Sequence, residues 1–254
     1  MSVEVHVLAS GSDGNCIVVK SDDGSVMVDA GFSLKKTKAL MNVSGLDASD
    51  IGALLVTHEH SDHIGGAGVV SRGLKIPVMC NRRTFDAADI GKVAYSPISM
   101  MKTFTVSGMD IIALPTSHHA AEPCAYLFTV EGKKVLIATD TGKMTYQVEH
   151  ALAEADRAFI ESNYDKRMLD NGPYPEPLKK LIGSDIGHLC NVATGEAIKR
   201  TCGKPGRQIF LAHLSKNNNT PDIARETVSK ISGISRMKID CLEFPGDTRV
   251  VRVR

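Results

Sequence analysis

Residues 58–63 read His58-Glu59-His60-Ser61-Asp62-His63. Three imidazoles and a carboxylate so close together are hard to explain as packing, because histidine is seldom fully buried and aspartate is rarely buried unpaired. A solvated polar loop is the competing reading. Neutral imidazole and carboxylate together suit Zn²⁺ or Mn²⁺ rather than Ca²⁺ alone. Their side chains converge only if the backbone curls, and Gly65-Gly66 directly afterwards permit a close backbone approach. Three further candidates each follow an apolar stretch: His118 beside His119, Asp140 in Ala138-Thr139-Asp140-Thr141-Gly142, and His213 in Ala212-His213-Leu214-Ser215. One polar residue at a strand end is usually a turn. Here the same order, strand then candidate ligand, recurs four times, as expected if ligands gather along one edge of packed sheets.

The elements that must position these residues follow from periodicity and turn signals. Val3–Leu8, Cys16–Lys20 and Ser25–Asp29 read as strands, separated by turns at Gly11-Ser12-Asp13-Gly14 and Asp22-Asp23-Gly24. A helix is predicted over Ser33–Val43, a buried strand over Ala53–Thr57, and a helix from His63 toward Arg72. Strand Ile76–Cys80 and a helix over Arg82–Gly91 come next, then strands Thr103–Val106, Met109–Thr116, Cys124–Glu131 and Lys133–Thr139. The last two form a hairpin through Glu131-Gly132. Helices over Thr145–Ala153, Asn191–Thr201 and Pro221–Ser232 then alternate with strands Arg157–Glu161 and Gln208–Ala212. Strands Lys238–Glu243 and Arg249–Val253 close the chain. Two sheets sandwiched between helices are the expected arrangement.

Bulk composition is permissive. The 254 residues are 43% hydrophobic and 23% charged, enough to bury a full core. Thirty basic and 29 acidic residues leave a formal charge of +1, which neither demands a nucleic-acid partner nor excludes one. The six cysteines are scattered without a C-x-x-C pair and predict buried, reduced thiols. No basic leader precedes an apolar core near Met1, and no apolar run is long enough to span a bilayer, so a cytoplasmic location and no membrane contact are expected.

His58, His60, Asp62 and His63 after a strand resemble the H-x-H-x-D-H signature of the metallo-β-lactamase superfamily. The later ligand positions of that family match His118, Asp140 and His213 in order. The resemblance implies an α/β fold, a four-layer αββα sandwich, with residues 1–254 as one domain. It also implies two divalent metal ions, Zn²⁺ or Mn²⁺. His58, His60 and His118 would hold the first, Asp62, His63 and His213 the second, and Asp140 would bridge them. Two cations about 3.5–4 Å apart can share a hydroxide and clamp both oxygens of a displacement. The family often has H-D after the third-ligand strand, where this chain has His118-His119. Position in the motif favours His118, with His119 the alternative.

Stretches along nearly the whole chain narrow the branch. Ser10-Gly11-Ser12-Asp13-Gly14-Asn15, Glu161-Ser162-Asn163-Tyr164-Asp165, Gly172-Pro173-Tyr174-Pro175, Gly187-His188-Leu189 and His213-Leu214-Ser215-Lys216-Asn217-Asn218 resemble the YycJ/WalJ-like proteins, relatives of tRNase Z and RNase J. These are regarded as nucleases acting as 5′–3′ exonucleases on DNA. The likeness to tRNase Z implies that His188, oriented by Glu161, protonates the leaving oxygen; capping of the following helix is the other reading of His188. The resemblance also implies a catalytic as well as a ligand role for Asp62 and gives Asp29 the look of a carboxylate that positions the histidine loop, a turn aspartate being the other reading.

From the residues themselves, Ser215, Asn217 and Asn218, ahead of a helix opened by Pro221, offer hydroxyl and amide groups to a substrate phosphate. Ser10, Ser12 and Asn15 offer the same or simply turn the chain. Lys166, Arg167, Lys179 and Lys180 around Pro173 and Pro175 are candidates for a basic rim.

The leading function is therefore hydrolysis of a phosphodiester in nucleic acid, with DNA favoured over RNA. A small phosphodiester or a glyoxalase II-like thioester is the alternative substrate for the same centre. A binding module with a vestigial site is a third reading, opposed by the presence of every candidate ligand. An absence of tryptophan and an aromatic content of 5% leave few stacking platforms for single strands.

Overall fold

A computed structural model describes residues 3–242 and 248–253. Its first sheet contains β1 (Val3–Ala9), β2 (Cys16–Ser21), β3 (Gly24–Val28), β4 (Ile51–Leu55), β5 (Val78–Cys80), β6 (Tyr95–Pro97) and the last strand of the chain, β14 (Arg249–Val253). The second contains β7 (Thr103–Val106), β8 (Met109–Pro115), β9 (Cys124–Val130), β10 (Lys133–Ala138), β11 (Arg157–Glu161), β12 (Gln208–Ala212) and β13 (Ile239–Cys241). Their spatial orders are β14-β1-β2-β3-β4-β5-β6 and β13-β12-β11-β10-β9-β8-β7. In each sheet the antiparallel hairpins give way to parallel strands, at β3 in the first and at β10 in the second.

Helices α1 (Leu34–Val43), α2 (Ser61–Ile64), α3 (Ala67–Leu74) and α4 (Arg82–Ala87) connect strands of the first sheet. Helices α5 (Tyr146–Glu154), α6 (Lys166–Asn171), α7 (Glu176–Ile182), α8 (Asn191–Arg200) and α9 (Pro221–Ser232) connect strands of the second.

Three apolar layers result. Val5, Val7, Val26, Leu55, Ile111, Tyr126, Phe128 and Phe159 interdigitate between the sheets. Met41, Leu54, Ala67 and Val70 fill the space between the first sheet and its helices, and Leu136, Leu152, Ile198 and Val228 do the same outside the second. This is the four-layer αββα sandwich expected from the sequence. Tyr126 Oη, deep between the sheets, donates to the Val56 carbonyl at 2.7 Å and so ties the second sheet to the strand that leads into the histidine loop.

The departures from the sequence reading are local. The helix expected from His63 to Arg72 is split into α2 and α3 at Gly65-Gly66. A Cβ at Gly66 would lie 1.6 Å from the Phe32 carbonyl oxygen, so only glycine lets the two segments pass. The helix expected to reach Gly91 stops at Ala87. Short elements β6, α6 and α7 were not legible, since each sits beside proline or spans too few residues to display a period. Cys241 ends β13, and Glu243 of the expected final strand lies outside the described residues.

Candidate metal centre

Parallel geometry decides where the candidate ligands go. Strands β1, β3 and β4 run the same way in the first sheet, as do β8, β10, β11 and β12 in the second. Their C-terminal ends form one edge, and the residues beyond them are Ser10, Asp29, His58–His63, His118, Asp140, Glu161 itself and His213. The ligand atoms of His58, His60 and His118 lie within 4.8 Å of one another, as do those of Asp62, His63 and His213, and those of His58, His63 and Asp140. All seven expected ligands therefore meet in one cluster. His118 enters it, buried, whereas His119 is exposed and contributes only its carbonyl, which accepts from His60 Nε2 at 3.0 Å.

Outer hydrogen bonds fix how each ring presents itself. His58 Nδ1 donates to Thr57 Oγ1 at 3.0 Å, and His118 Nδ1 donates to the Gly187 carbonyl at 2.7 Å. With His60 Nε2 engaged by His119, the inward atoms are His58 Nε2, His60 Nδ1 and His118 Nε2. The first and third of these lie 3.1 and 3.2 Å from His60 Nδ1. Each outward nitrogen carries the proton, so three lone pairs converge at van der Waals distance, an arrangement that calls for a cation between them. His58 stays neutral for the same purpose: burial, then the neighbouring His63, holds its pKa well below the ordinary histidine value. Burial likewise lowers that of His118.

The second group is anionic. His63 Nε2 lies 3.3 Å from Asp62 Oδ2 and 3.2 Å from Asp140 Oδ2, and His213 Nε2 lies 3.4 Å from Asp62 Oδ2. Asp140 Oδ2 is buried and takes no well-aligned hydrogen bond, its 3.2 Å approach to His63 Nε2 being an ion-pair contact. A buried carboxylate oxygen without a donor is costly unless a cation meets it. Burial opposes charge on His63 and His213, but the surrounding carboxylates, Asp140 foremost, outweigh it. They hold His63 well above the ordinary histidine value and raise His213 to about 10. Burial also opposes ionisation of Asp140, and His213 and His63 outweigh it in turn. The pocket therefore demands positive charge, which its imidazoles supply as protons and a divalent ion would supply better. The donor set fits such ions.

Carboxylates behind the cluster lock the rings. Asp29 accepts from His63 Nδ1 at 2.7 Å and from both the amide and the hydroxyl of Thr57 at 2.8 Å. Glu161 is fully buried and accepts from His188 Nδ1 at 2.7 Å, His213 Nδ1 at 3.1 Å, Thr141 N at 2.8 Å and Leu189 N at 3.0 Å. His188 does not cap α8; the Cys190 Sγ accepts from Ala193 N there. Its ring instead stands 5.0 Å from that of His118, with its side chain 22% exposed.

Three residues undervalued in the sequence also touch the ligands. Asn15 Nδ2 donates to Asp62 Oδ2 at 3.2 Å, while its Oδ1 accepts from Gly11 N at 2.9 Å. Ser10 Oγ accepts from His213 N at 2.9 Å, and Asn163 Nδ2 donates to the His213 carbonyl at 2.8 Å. Together they hold His213 at φ 54°, a left-handed conformation unusual for histidine. The S-G-S-D-G-N and E-S-N stretches were the available signals. In contrast to the expectation for them, Ser215 and Asn218 are buried and bonded to each other, which leaves them no face for substrate; Asn217 is exposed and donates to Tyr174 Oη at 2.9 Å.

Comparison with known proteins agrees with this architecture. Residues 9–170 match the metallo-beta-lactamase superfamily. The chain is 38% identical to exodeoxyribonuclease YycJ of Bacillus anthracis over 238 residues, covering 91% of this chain and 89% of that one. Against exodeoxyribonuclease WalJ of Streptococcus pneumoniae (serotype 2, strain D39) it is 38% identical over 229 residues, 87% of this chain and 85% of that one. The crystal structure of the metallo-beta-lactamase fold protein YhfI from Bacillus subtilis superposes with a TM-score of 0.74 at 18% identity, covering 100% of both chains. Sandwich topology, a histidine–aspartate cluster on the shared strand edge and a match over most of the chain lead to one assignment: the protein belongs to the metallo-β-lactamase superfamily.

Proposed function

We propose that the chain, acting as one domain over residues 1–254, hydrolyses phosphodiester bonds of nucleic acid, as an exonuclease on DNA in the 5′–3′ direction, with two divalent ions, Zn²⁺ or Mn²⁺. One observation carries the reading: Glu161 places the His188 imidazole 3.6 Å (Nδ1) from Asp140 Oδ1, at the rim of a converged ligand cluster, in a chain similar along most of its length to named exodeoxyribonucleases. Among the described residues no helix is long and apolar enough to cross a membrane. We place the chain in the cytoplasm.

His58, His60 and His118 would hold one ion and Asp62, His63 and His213 the other, with Asp140 between them. When bound, such ions make water nucleophilic near neutral pH and offset phosphate charge. The protein does the rest. Glu161 accepts a hydrogen bond from His188 Nδ1 and stabilises the imidazolium, so that the opposite nitrogen delivers a proton to the departing oxygen. Asp62 has a 21% exposed side chain, unlike the nearly enclosed Asp29 and Asp140, and accepts a hydrogen bond from the attacking water. Asn217 is the exposed amide available to a substrate phosphate. Incubating the metal-loaded protein with 5′- and 3′-labelled single- and double-stranded DNA and RNA tests the reading. Stepwise shortening of DNA from the 5′ end is expected; preference for a thioester over every phosphodiester would replace it.

Asn15 acts on the second ion through Asp62. Asn15→Ala is expected to weaken binding of the second metal equivalent by about 10–100-fold and to leave the first unchanged. Calorimetric titration of the stripped protein with Zn²⁺ reads this directly, and equal losses at both steps would contradict it.

Metal removal gives a pH signature with a definite sign. Folding raises the pKa of His63 and His213 above the ordinary 6.5, so at alkaline pH the folded stripped chain binds more protons than the unfolded one. Their stabilisation is complete below 6.5 and is lost as pH rises through about 10 for His213. Thermal scans of the EDTA-treated protein should show a melting temperature that falls from about pH 7 upward. Metal at about a thousand times its Kd should add about 4 kcal/mol, roughly 8–16 °C. Coincident profiles with and without metal would contradict the assignment.

A further inference from the structure

The basic rim expected around Pro173 and Pro175 is neutralised at two of its four positions, while Arg167 and Lys180 are exposed. Lys166 pairs with Asp170 at 3.0 Å and Lys179 with Glu176 at 3.3 Å, both within the α6–α7 hairpin. A different surface has the opposite character. From Phe32 to Gly45 the chain holds Lys35, Lys36 and Lys38 and no carboxylate. All three lysines are exposed on α1, and none forms an ion pair among the described residues.

The start of α1 adjoins the cluster through Phe32, and of the three lysines it is Lys36 that contacts this junction. Lys36 Nζ sits 3.5 Å from the centroid of the Phe32 ring. That ring packs on Gly14, where an added Cβ would lie 2.5 Å from Phe32 Cζ. Gly14 precedes Asn15, the donor to Asp62. Gly31, on the other side of Phe32, lies so close to the Asp62 carbonyl oxygen that a Cβ there would be 2.1 Å from it. The start of α1 is thus packed directly against the loop that carries Asp62. The nearby Asp13 carboxylate is paired with Lys216, so it does not cancel the lysines of α1.

We propose that Lys35, Lys36 and Lys38 form a phosphate track that binds the nucleic-acid strand beside its scissile bond, an inference that rests on the phosphodiesterase reading above. Flexible ammonium groups spread over one exposed helix face suit successive phosphates without reading bases. An alternating-charge hairpin such as α6–α7 does not.

The test compares the wild-type protein with K35Q/K36Q/K38Q and, as a control, K166Q/K179Q/K180Q. Five of the six positions are exposed and Lys179 is half-buried, so circular dichroism of both variants checks that folding survives. Binding of a fluorescein-labelled single-stranded DNA 20-mer is measured against salt without turnover, and hydrolysis of DNA is compared with that of bis-p-nitrophenyl phosphate. The α1 variant is expected to lose about 2 from the slope of log K against log salt, at about 0.7 per phosphate contact. Its KM for DNA should rise about tenfold at moderate salt, with kcat/KM for the small ester unchanged. The control should lose less than half as much slope. An unaltered slope and DNA KM in the α1 variant would overturn the track while leaving the phosphodiesterase reading intact. A wild-type protein that cleaves neither DNA nor the small ester would sink that reading, and the binding slopes would then decide the track alone.

Discussion

Asp140→Ala is expected to reduce phosphodiester hydrolysis by about 10³-fold or more, the equivalent of roughly 4 kcal/mol of lost charge stabilisation in the transition state. Asp140 stands between the two groups: Oδ2 faces His63 Nε2 at 3.2 Å, and Oδ1 lies 3.8 Å from His118 Nε2 and 3.3 Å from His213 Nδ1. Deleting it removes the negative charge that the surrounding imidazoles balance, so bound metal should fall as well. Asp140→Asn preserves shape and separates collapse of the fold from loss of charge. Circular dichroism should stay native for Asp140→Asn while turnover falls almost as far. Activity within tenfold of wild type in either variant would remove Asp140 from the chemistry.

His188 offers the second large effect, with a built-in control. General acid catalysis contributes about 10²–10⁴-fold when the leaving group is a poor one. His188→Ala should therefore lose that factor on DNA, whose leaving alkoxide needs a proton. It should lose less than about tenfold on bis-p-nitrophenyl phosphate, whose phenolate leaves unaided. Glu161→Gln should follow His188→Ala on DNA, since Glu161 is the acceptor that sets the ring, and should also disturb the second metal group through His213 Nδ1 at 3.1 Å. Equal losses on both substrates for His188→Ala would mean that the ring serves structure or metal binding instead of proton delivery.

The sequence carries the cluster far better than it carries the surroundings. His58, His60, Asp62 and His63 are contiguous, and His118, Asp140 and His213 each follow a strand whose apolar run is unmistakable, so their convergence is a consequence of parallel strands ending on one edge. Asp29 was picked out by family resemblance, since an aspartate after a strand reads equally as a turn. What sequence could not disclose is direction. Ser215 and Asn218 look like donors to a phosphate, but their loop turns inward, and only burial reveals it. Asn15 and Ser10 sit in a turn motif whose polar side chains serve substrate or backbone equally well on paper. Their bonds to Asp62 and His213 exist because the β1–β2 turn lies on the same edge as residues far away in the chain. The split between α2 and α3 is of the same kind: Gly66 makes room for the carbonyl of Phe32, a neighbour only in three dimensions. Likewise, the lysines of α6–α7 and of α1 look alike in one dimension, and ion pairing of Lys166 with Asp170 and of Lys179 with Glu176 sets those two apart.

Anomalous X-ray diffraction at the zinc and manganese edges, from crystals grown with each metal, addresses the centre most directly. Two peaks are predicted, one enclosed by His58, His60 and His118 and one by Asp62, His63 and His213, both in contact with Asp140. A single peak, or metal bound away from these side chains, would contradict the account.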